Sequence, residues 1–369
     1  MKTICVGSAV LFTLFVFGFG LIGCSSPTSS NGATPTNTWG QARGIAIDTS
    51  GNVYLAGRVG TSTTACVPCY WKNGTLTLLP MGSGNTFGKG SHVTIDGLGN
   101  VYISGQVGTS SSQSNPCYWK NGASPTILPL GSGNSEFWYE WTTVDPSNNF
   151  YLGGAVGTSS STPKACYWKG TTLNVLPLFG TDTTGLVNGI VYNSGHLYAS
   201  GYSASGMCTW VDNSSPVILP WGSGMTWGGS QGIAFDASSN EYVVGYEGTS
   251  SSAYQPCYWK NSTAPVFLPL GSDTYGDTVD VACDSSGANV YITGSTGSST
   301  STATWVPCYW KNGVKASLPF GTGIGLDSDA SNVIVDSSGN FYISGEDGTA
   351  TSTTPCYWKN GTLNLLPMN

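Results

Sequence analysis

One short string constrains this chain more than anything else in it. Pro68-Cys69-Tyr70-Trp71-Lys72-Asn73-Gly74 returns almost unchanged from Pro116, Pro256, Pro307 and Pro355, and in weaker form from Ala165 and Met207. The cysteines of these copies, Cys69, Cys117, Cys166, Cys208, Cys257, Cys308 and Cys356, are spaced by 48, 49, 42, 49, 51 and 48 residues. A second marker precedes each copy. It reads Asp48-Thr-Ser-Gly-Asn-Val-Tyr-Leu-Ala-Gly57 and recurs, with variation, from Asp96, Asp145, Asp236, Asp284 and Asp336; the fourth copy has Tyr192 where Asp is expected. Seven units therefore fill residues 44–369 with almost nothing left over. A period of this size marks a supersecondary unit that cannot bury its own faces and must stack on its neighbours.

Each unit parses into four strands, A to D. In the first unit they are GIAID (44–48), VYLAGRV (53–59), PCYWK (68–72) and TLTLLP (75–80). Asn73-Gly74 between two strands is a strong hairpin signal, because both residues tolerate positive φ. The Asp-x-Ser-Gly-Asn turn works similarly: Asp bonds the backbone two residues on, and Gly takes the left-handed position. Glycine is abundant (52 residues), helix formers are scarce, and β-branched and aromatic residues come in short runs. Four antiparallel strands per unit of about 40–50 residues make a propeller blade. The expected fold is all-β, a single seven-bladed β-propeller over 39–369. A β-solenoid, the rival, wants shorter coils without paired hairpin turns. The first unit keeps its own strand A and the last its own strand D, LNLLP (363–367), so no strand exchange is expected. Asn37-Thr-Trp-Gly40 resembles Asn85-Thr-Phe-Gly88 and Met225-Thr-Trp-Gly228, which lie in loops linking strand D to the next strand A. Residues 37–43 then supply half of the seventh such loop.

The Asp-x-x-Gly-Asn-x-Tyr-x-x-Gly signature resembles the bacterial β-propeller repeat family related to NHL repeats. The likeness spans all seven units, most loosely the fourth, and implies fold rather than activity.

The N-terminus has a different character. Met1-Lys2 gives a basic start, an apolar run extends from Val10 to Ile22, and the stretch ends in Leu21-Ile22-Gly23-Cys24. The run is short of the roughly 20 apolar residues that span a bilayer. It reads as a secretory signal over 1–23. The lipobox-like end resembles bacterial lipoprotein signals, which implies cleavage before Cys24 and lipid attachment to it. Ser25 in place of Asp leans toward the outer membrane or cell surface. Residues 24–38 then hold the anchor and a Ser/Thr/Pro/Asn tether with nothing apolar to bury.

Little in the composition favours familiar chemistry. Charged residues make up 8% of the chain, its net charge is −7, and no basic stripe exists, so nucleic acid is not an expected partner. The two histidines, His92 and His196, are too few for a three-histidine zinc site. The two arginines, Arg43 and Arg58, cannot make a sialidase-like triad. No metal or cofactor is expected. His92 stands as a possible lone base near the channel, more simply a structural histidine. The Asp-x-Ser-Gly-Asn turns are better read as capped turns than as calcium loops. Cys66-Val-Pro-Cys69 mimics a redox motif but sits at a loop-to-strand junction rather than a helix N-terminus. A local disulfide there stays open. Equivalent points on adjacent blades should lie on the order of 10–13 Å apart, beyond the about 7 Å between Cα atoms that a disulfide spans. The seven repeat cysteines are therefore expected as buried free thiols. Cys and Trp should pack one side of strand C and Tyr the other, with Lys laid along an aromatic ring.

Function should lie where the repeat breaks. The A–B and C–D turns are uniform, whereas the D–A and B–C loops on the other face vary. Aromatics recur nine residues before the marker Asp: Trp39, Phe87, Trp227 and Tyr275. In unit three the corresponding loop, Ser135-Glu136-Phe137-Trp138-Tyr139-Glu140-Trp141, is the densest aromatic stretch in the chain. The aligned aromatics also fit a plain packing role at the blade seams. Asp273, Asp277 and Asp280 cluster before unit six, and Asp327 and Asp329 before unit seven. Unit four has a short B–C loop, so the rim should dip beside unit three. Trp138, Tyr139, Trp141, Trp227 and Tyr275 are the candidate ligand contacts, for a glycan or a protein. A binding module is the leading reading. A glycan lyase or hydrolase using Glu136, Glu140, Asp273 or Asp277 is an alternative, and a structural surface protein without a small ligand is another.

Overall fold

The computed structural model describes residues 37–299, 305–321, 329–349 and 352–369, apart from the side chains of Tyr139, Glu140 and Thr349. The signal segment, Cys24 and all but the end of the tether lie outside the described residues, as does Asp327.

The chain forms seven four-stranded antiparallel sheets, each built from one repeat with its strands adjacent in sequence order. The innermost strands contact one another around the ring, and the seventh, Asp329–Val335, returns to the first, Trp39–Ile47. This is the expected seven-bladed propeller, with no strand exchanged between blades.

The recurring residues build one blade and fasten it to the next. Trp71 and Cys69 are fully buried in the seam toward blade 7, beside Tyr342 and Leu366, while Tyr70 packs into the seam toward blade 2. In every blade the Trp indole N–H donates to the carbonyl of the proline that ends the preceding blade: Trp119 to Pro80, Trp168 to Pro129, Trp210 to Pro177, Trp259 to Pro220, Trp310 to Pro269 and Trp358 to Pro319, at 2.6–2.9 Å. Trp71 completes the set on Pro367 at 2.7 Å. The chain does not cross that last seam, and side chains span it instead. Asn37 Nδ2 donates to Met368 O at 2.6 Å, as Asn85 does to Met81 O at 2.7 Å inside a continuous D–A loop. Ser344 Oγ donates to Arg43 O at 2.6 Å and Thr353 Oγ1 to Gly40 O at 2.9 Å.

The uniform turns are dense hydrogen-bond networks. Asp48 Oδ1 accepts from the N–H groups of Ser50 and Asn52, and its Oδ2 accepts from Asn52 Nδ2 at 2.7 Å and from the Tyr54 hydroxyl at 3.3 Å. Asn73, at φ 49°, accepts from Val53 N and donates to Asn52 Oδ1. Lys72 Nζ lies 5.1 Å over the Tyr54 ring, an arrangement repeated by Lys120, Lys169, Lys260, Lys311 and Lys359 on their own tyrosines. These networks fit capped turns; among the described residues no group of His, Cys, Asp and Glu is placed to hold a metal ion. None of the nine described cysteines forms a disulfide, Cys66 and Cys69 included.

Two details differ from the expected parse. The innermost strands begin earlier, at Trp39, Phe87, Glu136, Trp227 and Tyr275, so the aromatic stretch of unit three is strand rather than loop. A β-bulge near the middle of each inner strand shifts the in/out alternation and hides the period-2 pattern. The marker glycine serves this bulge: a Cβ on Gly57 would lie 1.9 Å from Gln41 O and 2.9 Å from the Trp71 ring. In blade 4 the strands turn through Ser194 and Gly195, with Asn193 opposite His196, so Asn193 rather than Tyr192 holds the marker place.

Candidate functional site

The bulges put one residue of each inner strand toward the central channel, four places before the marker position: Gly44, His92, Trp141, Gly189, Gly232, Asp280 and Asn332. The four with side chains occupy the axis. His92 and Trp141 pack at 4.2 Å between ring centroids. Asp280 Oδ2 accepts from Asn332 Nδ2 and from Val333 N at 3.0 Å, and Asn332 Oδ1 accepts from Ile45 N at 2.9 Å. These residues line a cavity of about 480 Å³ that continues along Ile47, Ile95, Phe235 and Cys283 toward the uniform turns. Burial lowers His92 to about 3, so it is neutral in the physiological range and takes up no proton there. Burial raises Asp280 to about 7 against the pull of its Val333, Val281 and Asn332 donors.

Three places nearer the variable face, the equivalent residues are Gln41, Lys89, Trp138, Leu186, Gly229, Asp277 and Asp329. Charge gathers on one arc of this layer. Arg58 donates from Nε and Nη2 to Gln41 Oε1 at 3.1 and 2.6 Å, and Gln41 Nε2 donates to Glu346 Oε1 at 2.5 Å across the closing seam. Burial raises Glu346 to about 8, an effect that Arg43 and Arg58 oppose and Asp329 reinforces. Asp277 is likewise raised to about 8, by burial and then by Asp329.

Beside this charged arc, between blades 5 and 6, a second cavity of about 320 Å³ opens on the variable face next to an aromatic cluster. Tyr254 is the hub. Its ring lies 5.0 Å from Trp227, 5.3 Å from Tyr246, and 6.2 Å from both Tyr275 and Trp305. Tyr254 and Tyr275 line the cavity together with Met225 and Glu247. Glu247 is fully buried; its Oε2 accepts from Gly222 N at 2.9 Å and its Oε1 has no hydrogen-bond partner. Burial raises its carboxyl, with the Gly222 N–H pulling the other way.

The candidate residues from sequence separate into groups. Tyr275 lines this cavity and Trp227 packs on Tyr254 beside it, whereas their aligned counterparts Trp39 and Phe87 are buried seam residues packed on Cys66. Trp141 belongs to the channel and Trp138 to the charged-to-aromatic layer, half-buried against Gly157. Glu136 is exposed at the start of its strand. The side chains of Tyr139 and Glu140 lie outside the described residues. Asp273, Asp277 and Asp280 do not form one cluster: Asp273 is held by Lys315 Nζ at 2.8 Å and Thr296 Oγ1 at 2.6 Å, pinning its loop. The rim of blade 4 dips as expected, its second and third strands joined opposite Ser203 and Gly206. Asp182 caps that notch through Ser203 and Ser205. The hub itself, Tyr254 with Glu247, Tyr246 and Trp305, is absent from the sequence reading. One signal was available: Glu247 stands where units one to three carry Val59, Val107 and Val156.

No family model matches the chain, and no curated protein matches it. Among solved structures it is similar to a protein of unknown function from Dyadobacter fermentans DSM 18053. That comparison has a TM-score of 0.48 and 11% identity, covering 89% of this chain and 96% of the other.

Proposed function

We propose that this protein is a non-catalytic binding module that engages a glycan or protein ligand through its D–A and B–C loops. A seven-bladed propeller suits a binding or interaction role in general. The observation that carries this reading is the pairing of Tyr254 and Tyr275 at an open cavity on the face where the repeat breaks, with Trp227 packed on Tyr254 behind them. Aromatic faces beside a few polar groups suit sugar rings and peptide side chains alike. A lipid on Cys24 would hold the module at the outer membrane or cell surface, with residues 25–38 as its tether.

Glycan and peptide arrays test the reading. A specific ligand should emerge, and Trp227→Ala and Tyr254→Ala should each weaken it about tenfold or more, the scale of losing an aromatic anchor. Undiminished binding in both variants refutes the assignment of the site. Cys24→Ser should abolish labelling by a fatty-acid analogue and release the protein from membranes; persistence of both contradicts the anchor.

A second reading rests on Asp277, which keeps its proton near neutrality beside Asp329, as a general acid does. A glycan lyase or hydrolase of this kind would degrade a glycan, and Asp277→Asn would stop it. Bound glycan that stays intact favours the binding module.

A further inference from the structure

We infer that the cavity between blades 5 and 6 receives a cationic group of the ligand, an alkylated or quaternary ammonium. This rests on the binding reading above and names the chemistry of that site.

The argument starts from a buried acid. Glu247 is fully buried and uses Oε2 on Gly222 N, leaving Oε1 without a partner. Among the described residues no cation acts on it; burial and the Gly222 N–H are the influences it feels. A buried carboxylate without a positive partner is strongly unfavourable, and an incoming cation relieves that penalty. Blade 6 shows the contrast. There Asp273 has its own lysine, Lys315 at 2.8 Å, and Thr296 at 2.6 Å. Blade 5 carries a carboxylate and leaves the cation to come from outside.

The walls select the kind of cation. Tyr254 has aromatic neighbours on several sides at 5.0–6.2 Å, and with Tyr275 it faces the cavity. Aromatic faces attract cations through the ring quadrupole and serve best for groups that shed water easily, which quaternary ammonium does. The cavity, about 320 Å³, has room for such a head group.

Calorimetric titration of the intact protein with choline and with its neutral isostere 3,3-dimethyl-1-butanol tests the assignment. Choline should bind and the isostere should be weaker by about tenfold or more, as the charge supplies the preference. Glu247→Gln keeps an acceptor for Gly222 N and should cost choline about tenfold. Tyr254→Leu should do the same if Glu247→Gln does not fold. Equal binding of the two probes, choline binding unaffected by either substitution, or no choline binding at all overturns the proposal. An array ligand that is lost in Tyr254→Ala but not displaced by choline would leave the binding module standing and overturn the cation alone.

Discussion

The indole N–H of Trp71 donates to the carbonyl of Pro367 at 2.7 Å, joining residues 296 positions apart. The same bond recurs at the six covalently continuous seams, so the closing seam uses the ordinary blade contact plus Asn37, Ser344 and Thr353 as straps. Trp71→Phe keeps most of the ring and removes the donor, leaving a part-buried carbonyl unpaired. It should lower the unfolding free energy by about 1–3 kcal/mol, read from urea denaturation. Because the closing seam has no chain crossing it, Trp71→Phe should cost at least as much as Trp168→Phe. A smaller loss at Trp71 would mean that the ring does not depend on this contact.

Acid and alkali should act on different groups. The turn aspartates Asp48, Asp96, Asp145, Asp236 and Asp336 are held low: burial pushes them up, but asparagine side chains and backbone N–H donors outweigh it; Asp284 falls to about 2. Their contribution is present above the unfolded value near 4 and is lost as pH falls through their lower folded values. Asp277, Asp280 and Glu346 are raised to about 8, 7 and 8. These stabilise fully below the unfolded values near 4, and their contribution fades as pH rises toward 8. Stability should therefore peak in mild acid. Urea midpoints at pH 5 and 8 check this: the wild type should be weaker at pH 8, and Asp277→Asn with Glu346→Gln should narrow the gap. A wild type equally stable at both values contradicts the assignment.

The repeat cysteines should be chemically silent in the folded protein. All seven are fully buried, and burial raises the thiols of Cys69, Cys166, Cys208, Cys257, Cys308 and Cys356, to about 12 for Cys308. Cys283 is partly exposed and should react first with an aromatic disulfide reagent. Titration before and after denaturant should show the repeat thiols appearing only on unfolding. Rapid native reaction at Cys69 or Cys117 would contradict the packing.

The six stacked lysines should matter little individually. Lys120 Nζ lies 4.9 Å over the Tyr102 ring at the solvent edge. Lys120→Met should change stability by no more than about 1 kcal/mol, whereas Asp96→Ala, which removes the acceptor of Leu98, Asn100 and Tyr102, should cost more.

Much of the fold was legible because the repeat writes its main contacts six or seven times. Asp48, Asn52, Tyr54, Lys72 and Asn73 form one network, and it recurs, with Gly170 replacing the last Asn in blade 3, in every blade but the fourth. The inner strands were harder to read. Their bulges break the alternation, and residues such as Trp141 and Asp280 face the channel through that irregularity rather than through a sequence period. The candidate site was half legible. Trp227 and Tyr275 stood out, but the same aligned position buries Trp39 and Phe87, because the burial of that column differs from blade to blade. Tyr254 takes a strand position that Ser114 fills in blade 2 and Cys66 in blade 1, and only packing reveals it as the hub.

Hydrogen exchange with a bound array ligand tests the central claim most directly. If the variable face binds, amides of residues 249–255 and 272–276, around Tyr254 and Tyr275, should gain protection while the Asp-x-Ser-Gly-Asn turns stay unchanged. Protection confined to those turns, on the opposite face, would contradict it.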